Sequence, residues 1–126
     1  MPVLKRNRHL YPGDWLLISQ RIRFKRAKGQ CECTGQCGLD HGGRCAARHM
    51  VMGFWARHSG FWFEAGAKEA PPRRWGERIK RIILTTMHLD HDPTNNTDSN
   101  LMAGCQRCHN RYDRGHRAAT RAGGTP

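Results

Sequence analysis

The chain has little apolar sequence with which to build a core or enter a membrane. Only 37% of its 126 residues are hydrophobic, and 14 Gly and 6 Pro interrupt the pattern. No apolar run approaches the ~18 residues of a membrane span, and no apolar segment follows the basic N-terminus as it would in a secretory signal. We therefore expect a one-domain cytoplasmic protein whose thin core benefits from a bound metal.

Acidic residues are also scarce. Asp and Glu number 10 against 22 Lys and Arg, which gives a net charge of +12. Most of the basic residues are arginine, whose planar guanidinium suits phosphate better than an ammonium does. The charge predicts a polyanionic partner, most simply nucleic acid. A membrane surface is a weaker partner because no basic amphipathic helix with a broad apolar face is evident.

The pattern divides the single domain, residues 1–126, into five segments. They are a basic arm over 1–12, an amphipathic helix over 14–28, a Cys-rich loop over 31–45, an irregular segment over 46–78 and a strand-to-helix segment over 79–116. The helix is predicted from the spacing of Trp15, Ile18 and Ile22.

The irregular segment over 46–78 carries aromatic residues without a clean period. It could form a hairpin around Ser59-Gly60 or a short helix. The next residues, 79–89, are rich in β-branched side chains and predict a strand that ends at Asp90-His91. A turn and a Cys-containing knuckle follow, and residues 110–121 predict a basic helix.

Cys105-x-x-Cys108 has the spacing of half a zinc site, because two thiolates on a tight turn bind one tetrahedral ion. A second pair must come from residues 31–45. Cys37, which precedes a glycine, is the favoured member, and its mate is Cys33 or Cys31. Cys45 is a further candidate. Buried free thiols or a redox pair are weaker interpretations, since no βαβ pattern surrounds the cysteines.

Asp90, His91, Asn100 and His109 supply the residue types of a hydrolytic metal site. A hard divalent cation favours a carboxylate oxygen and accepts an imidazole. Such a cation polarises a phosphoryl oxygen, and a neutral imidazole can take a proton from water. The combination predicts a metal-assisted phosphodiesterase.

The run from His88 to Asp113 resembles the HNH endonucleases. Asp90-His91, Asn100-Leu101 and Cys105-Gln106-Arg107-Cys108-His109 match that family's motif in order and spacing, and the ensemble is similar to small phage or prophage HNH proteins. The resemblance implies an α+β protein with a small ββα-metal, treble-clef-like module, a structural zinc and an N-terminal helix. Segment 46–78 departs from the family's compact module as an insertion.

The resemblance also implies residue roles. His91 would be the general base, Asp90 and His109 would hold a catalytic Mg²⁺ or Mn²⁺, and Asn100 would orient the loop that carries His91. His88 could add a contact to metal or phosphate. Three arginines that flank the site could hold DNA phosphates: Arg107, Arg111 and Arg114.

The expected function is therefore metal-dependent nicking or cleavage of DNA, most simply double-stranded. The alternative is a non-catalytic zinc ribbon that binds nucleic acid. A metal-storage or redox protein is a third interpretation, which leaves the charge unexplained.

Four histidines are expected at the surface or in loops: His41, His49, His58 and His116. Asp92 is expected in a turn, and Asp113 in a helix salt bridge.

Overall fold

The structure, a computed structural model, describes the backbone of residues 9–121 and the side chains of 9–114 and 116. Most of the predicted basic arm lies outside the described residues. The elements in chain order are α1 (Trp15–Gln20), a π-helical continuation (Arg21–Arg26), β1 (Met52–Trp55), β2 (Trp62–Glu64), β3 (Lys80–Arg81), β4 (Leu84–His88), a 3₁₀ turn (Asp98–Asn100), β5 (Leu101–Cys105) and α2 (Gln106–Arg121). The chain is thus a small mixed helix-and-sheet protein.

The predicted N-terminal helix is present, but its second half is wound more widely than an α-helix. Ala27 N–H donates to the Ile22 carbonyl at 2.9 Å, five residues back, and the helix ends where Lys28 and Gly29 take positive φ angles. Ile22 is fully buried. The Ser19 hydroxyl lies 2.9 Å from that of Thr86. The apolar face therefore docks the helix against β4, as its period predicts.

The aromatic segment folds as a hairpin, one of the two structures that its pattern left open. β1 and β2 pair antiparallel with Phe54 opposite Phe63 and Trp55 opposite Trp62, and β3 adds to the other edge of β1. Trp62 is buried in the core. The ring centroids of Phe54 and Phe63 lie 6.0 Å apart and those of Trp55 and Trp62 4.7 Å apart, so paired aromatic side chains help to hold the two strands together.

The strand predicted over 79–89 is divided between two sheets. Ile82 bonds to the segment before β1: its N–H donates to Val51 O at 3.0 Å, and its carbonyl accepts from Met50 at 2.8 Å. Ile83 N–H then donates to the Gln106 side chain at 2.9 Å instead of to a strand. The chain therefore leaves the first sheet at Ile82 and enters the second at β4.

The second sheet consists of β4 and β5, paired antiparallel from Leu84 opposite Cys105 to His88 opposite Leu101. α2 follows β5 without a linker. All five residues of β5 are buried, and the core is built mostly from cysteines and residues of this sheet. Within the described residues, no helix combines the length and the hydropathy needed to cross a bilayer.

Candidate metal clusters and candidate active site

All six cysteines are buried and free of disulfide bonds. They fall into two groups whose ligand atoms lie within 4.8 Å of one another: Cys31, Cys45, Cys105 and Cys108 in the first, and Cys33, Cys37, His41 and Cys108 in the second. Thiolates on a tetrahedral zinc lie about 3.8 Å apart, from the Zn–S distance of about 2.3 Å. Both groups could therefore hold a structural metal such as zinc after small movements of side chains.

The predicted site of Cys105, Cys108, Cys37 and either Cys33 or Cys31 is not one of these groups. The two alternates, Cys31 and Cys45, complete the first group, and Cys33 and Cys37 belong to the second. Cys31 and Cys33, on either side of Glu32, contact different distant residues and so join different groups. The sequence predicts that either Cys31 or Cys33 is a metal ligand, whereas the structure places each of them in one of the two ligand groups.

The Cys-rich loop is held closed by its own backbone and by Arg44. Cys31 N–H donates to Ala47 O at 2.9 Å and Cys45 N–H donates to Cys33 O at 2.8 Å. The Arg44 guanidinium donates to the carbonyls of Cys31, Ala27 and Gln30 at 2.7–2.9 Å. These bonds satisfy carbonyls that no regular strand pairs, so the loop is ordered around the metal ligands.

Glu32 joins this loop to the free edge of β5. Its N–H donates to Ala103 O, and its side chain accepts from Ala103 N–H, both at 2.8 Å. The same carboxylate forms an ion pair with Arg26 at 2.7 Å. Cys31 and Cys33, on either side of Glu32, are thereby brought to the strand that ends at Cys105.

His41, which was expected to be a loop residue without a role, points into the second group. Its Nε2 lies 3.6 Å from the Cys37 sulfur and 4.0 Å from the Cys108 sulfur. Its Nδ1–H donates to Gly43 O at 2.7 Å. That bond leaves the Nε2 lone pair directed at the sulfurs, which is the tautomer a metal-binding imidazole needs.

Hydrogen bonds between neighbouring cysteines shift the pKa values of their thiols. The hydrogen bond from Cys108 lowers the pKa of Cys33, and the bond from Cys105 lowers the pKa of Cys45. The neighbouring Cys105 group in turn raises the pKa of Cys108. Some sulfurs are thus favoured as thiolates and others as thiols that donate to them. A divalent cation would replace those protons, since it favours the thiolate at every position.

A second polar centre lies at the end of β4. The Asp90 carboxylate accepts hydrogen bonds from Asn95 Nδ2 at 2.8 Å, Asp92 N–H at 2.9 Å and Asn100 Nδ2 at 2.8 Å. These bonds, that from Asn95 most, lower the pKa of Asp90 to about 2. A carboxylate offers about four acceptor positions. About one remains, so Asp90 can serve as a single-oxygen ligand.

Asn100 binds the loop from both sides. Besides donating to the Asp90 carboxylate, its Nδ2 donates to Asn95 O at 2.8 Å, and its Oδ1 accepts from Asp90 N–H at 3.1 Å. Asn100 is buried. These are the contacts that a residue orienting the Asp90-His91 loop would make.

His91 adopts φ = 60°, a left-handed conformation that a non-glycine residue rarely takes. Its Nδ1 lies 3.2 Å from Asp113 Oδ1, and its ring stacks on His116 with centroids 4.3 Å apart. Burial and the His116 charge lower the pKa of His91 against the opposing effect of Asp113. The ring is therefore favoured in its neutral form, with Nε2 as the acceptor when Nδ1–H donates to Asp113.

Asp113 lies between the two histidines of the motif. Its Oδ2 is 2.9 Å from His109 Nε2, one helical turn earlier on α2. The Thr85 hydroxyl lies 3.3 Å from Gly104 O and 2.6 Å from His109 Nδ1. The imidazole is thus held between a hydroxyl at Nδ1 and a carboxylate at Nε2, and these two contacts fix the orientation of the ring.

The described residues contain two groups of side chains that could hold a metal ion, and neither group includes Asp90 or His109. The catalytic cation therefore stays a prediction. His88 is buried and uses its ring for other contacts: its Nε2 donates to Asn96 Oδ1 at 2.9 Å, and its ring stacks on Trp15 with centroids 5.0 Å apart.

The three arginines proposed for phosphate contacts occupy different settings. Arg107 donates to Gly60 O at 2.7 Å, and its guanidinium carbon lies 5.3 Å from the Trp55 ring centroid. It holds the hairpin to α2. Arg111 is half-buried and Arg114 is exposed. Arg114 is thus the most accessible of the three.

The spacing of two residues in the sequence could have indicated that they belong to these centres. His41 follows Cys37 by four residues, within the range of spacings that zinc ligands adopt. Asp113 follows His109 by four residues, which places both on one helix face.

Comparison with known proteins found no matching family model, no matching curated protein and no matching solved structure.

Proposed function

We propose that the chain is a metal-dependent endonuclease of the HNH type that hydrolyses DNA phosphodiester bonds. The observation that carries the proposal is the Asp113 carboxylate, within 3.2 Å of His91 Nδ1 and 2.9 Å of His109 Nε2. This carboxylate couples a histidine suited to proton transfer with a histidine suited to a cation. A structural zinc ribbon has no need of such a pair.

His91 is the proposed base. With Nδ1–H donated to Asp113, its Nε2 accepts a proton from water that attacks the phosphorus. Burial favours the neutral ring by lowering the pKa of His91. The side chain keeps 24% of its surface exposed, so water reaches it. The stacked His116 ring restricts its orientation.

Asp90, Asp113 and His109 are the proposed ligands of the catalytic cation. A bound Mg²⁺ or Mn²⁺ would stabilise the charge that develops on the phosphate and the leaving alkoxide. Asp90 is ionised throughout the neutral range because hydrogen bonds lower its pKa to about 2. The Thr85 hydroxyl, 2.6 Å from His109 Nδ1, orients the ring so that Nε2 points towards Asp113.

Double-stranded DNA is the proposed substrate, and the net charge of +12 supports it. Several basic residues are already paired within the protein, Arg21 with Asp98 at 2.7 Å and Arg48 with Glu64 at 2.7 Å among them. The remaining excess is available to phosphates. Each neutralised phosphate contributes a slope of about −0.9 in log K against log salt, so affinity for duplex DNA should fall steeply with salt.

The test is nicking of supercoiled plasmid by the purified protein with Mg²⁺, with Mn²⁺ and without added cation. The proposal expects cleavage only with the cation. Loss of cleavage in His91→Ala and its retention in His58→Ala, which changes an exposed histidine outside the site, would exclude a contaminating nuclease. A protein that binds duplex DNA in a salt-dependent way but never nicks it would overturn the enzymatic proposal.

That outcome would favour the second candidate, a zinc-stabilised module that binds nucleic acid without cleaving it. One observation supports this candidate: both Asp90 oxygens accept hydrogen bonds from their own loop. In that case Asp90 would serve to order the loop, and the basic surface alone would serve the partner.

A further inference from the structure

We infer that the cysteine cluster binds two zinc ions bridged by the Cys108 thiolate. The inference is independent of the proposed nuclease activity, since it concerns only the ligands on the Cys-rich loop and at the start of α2. It assigns the second ion to Cys33, Cys37 and His41, which a single four-cysteine site leaves without a function.

The first argument is the number of donors. Two tetrahedral ions need eight coordination positions between them. Seven side chains form the two groups, and Cys108 belongs to both. One shared thiolate therefore completes both coordination shells, with no donor missing and none left over. A single ion would leave two buried thiols and the half-buried His41 gathered near the Cys108 sulfur without a cation to bind.

The second argument is that the donors of the second group are already oriented. His41 is held by Gly43 O so that Nε2 faces the Cys37 and Cys108 sulfurs at 3.6 and 4.0 Å. Leu39 N–H donates to the Cys37 sulfur at 3.4 Å. Gly38, between them, has φ = 87°, which allows the tight turn of a metal-binding knuckle.

The third argument is charge compensation. Six thiolates with two divalent ions carry a formal charge of about −2. Backbone N–H groups compensate part of it, at Cys31 Sγ from Cys105 at 3.3 Å and at Cys105 Sγ from Cys108 at 3.5 Å. Arg107 lines the same small cavity as Cys108 and His41, so its positive charge offsets part of the negative charge of the thiolates.

The same cavity explains the inserted hairpin. Trp55, Phe61 and Trp62 line it opposite His41 and Cys108. The hairpin thus forms an apolar cover over the shared thiolate. Shielding from water strengthens the attraction between thiolates and cations, which is what a cluster of high charge density requires.

The direct test is the zinc content of the wild-type protein by native mass spectrometry, which keeps bound metal on the chain. The expected result is two zinc ions per chain. A single zinc ion in the folded, fully reduced protein would overturn the inference. This measurement uses no variant, so misfolding of a mutant does not affect it.

The bridge is tested separately after exchange of zinc for ¹¹³Cd. Two ¹¹³Cd resonances are expected, one from four sulfurs and one from three sulfurs and a nitrogen, with scalar coupling between them through the Cys108 sulfur. Two uncoupled resonances would refute the shared ligand, because separate sites have no bonded path between the ions.

Variants then identify the ligands. His41→Ala and Cys37→Ser should each reduce the zinc content from two ions to one and abolish the ¹¹³Cd coupling, while the circular dichroism of the helices remains. His58→Ala is the matched control and should keep both ions, because His58 is exposed. Retention of two ions by His41→Ala with the coupling intact would contradict the assignment of the second site.

Discussion

The two polar centres of the molecule differ in how completely the chain assembles them. In the cysteine cluster every donor is buried or turned inward, and seven side chains lie within reach of a cation. At the end of β4, Asp90, His91, His109 and Asp113 are fewer and harder donors, and Asp113 keeps 20% of its side-chain surface exposed. The first arrangement suits a metal that holds the fold, whereas the second leaves an open face for a substrate.

The two centres differ because different kinds of contact hold their side chains in place. The cluster depends on long-range contacts, since Glu32 fixes the Cys-rich loop against Ala103 of β5, 71 residues away in sequence. Arg44 closes the same loop on itself through the Cys31 carbonyl. The second centre is ordered locally, by the Asn100 bonds to its own loop and by the helical spacing of His109 and Asp113. Disturbing the cluster should therefore unfold both centres, and disturbing the second centre should leave the cluster intact.

The largest effect is expected from Cys108→Ser, which removes the ligand common to both cysteine groups. Structural zinc contributes about 10–16 kcal/mol in small zinc domains, which matches or exceeds the net stability of about 5–15 kcal/mol of a typical domain. The variant should lose zinc, its cooperative thermal transition and any cleavage activity that Mg²⁺ supports. Calorimetry and metal analysis measure this. A variant with wild-type zinc content and melting temperature would show that Cys108 is not a ligand.

The next effect is expected from His91→Ala, which alters only the second centre. General-base catalysis contributes about 10²–10⁴-fold, so single-turnover cleavage should slow by that factor. DNA affinity, zinc content and melting temperature should stay unchanged. His58→Ala serves as the control. Cleavage by His91→Ala at the wild-type rate under saturating Mg²⁺ would exclude His91 as the base.

A smaller effect is expected from Asp113→Asn, which keeps the shape but removes the charge between the two histidines. Partners that orient a metal ligand or a base are worth about 10–100-fold in activity or metal affinity. The concentration of Mg²⁺ needed for half-maximal cleavage should rise, with a lower rate at saturation. Asp14→Asn, at an exposed position whose side chain makes no capping bond, should change neither quantity. Equal Mg²⁺ dependence in wild type and Asp113→Asn would separate Asp113 from the cation site.

The smallest effect is expected from Gly53→Ala, in the hairpin that covers the cysteine cluster. A Cβ at this position would lie 2.5 Å from the Trp62 ring and would collide with the Phe63 carbonyl. Overpacking costs about 1–3 kcal/mol, so the melting temperature should fall while the cleavage rate at low temperature stays near that of the wild type. Gly13→Ala, where nothing lies within 4 Å, is the control. An unchanged melting temperature in Gly53→Ala would mean that the hairpin adds little to the fold.

Local patterns in the sequence predicted much of the fold. The period of Trp15, Ile18 and Ile22 predicted the helix. The aromatic run predicted a hairpin or a short helix, and the fold has the hairpin. The break at Ile82-Ile83 was not predicted, because a β-rich run does not reveal which sheet each residue joins. That division depends on bonds to Val51 and Gln106, which are distant in sequence.

The sequence predicted which kinds of side chain form the candidate sites better than it predicted which residues belong to each site. The motif residues Asp90, His91 and His109 were identified, but Asp113 was read as a plain salt-bridge partner although its helical spacing from His109 was visible. The grouping of the cysteines could not be derived from spacing, since Cys31 and Cys33 are separated by one residue and yet meet different distant ligands.

The most direct test of two metal environments with different roles is brief, mild chelation followed by three readings on one sample: zinc content, helical circular dichroism and plasmid nicking. We predict that nicking stops while zinc and helicity remain, and that Mg²⁺ alone restores it, because Asp90, His109 and Asp113 exchange a hard cation more readily than buried thiolates release zinc. Loss of nicking only in step with loss of zinc and helicity, with no recovery on Mg²⁺ addition, would contradict the account.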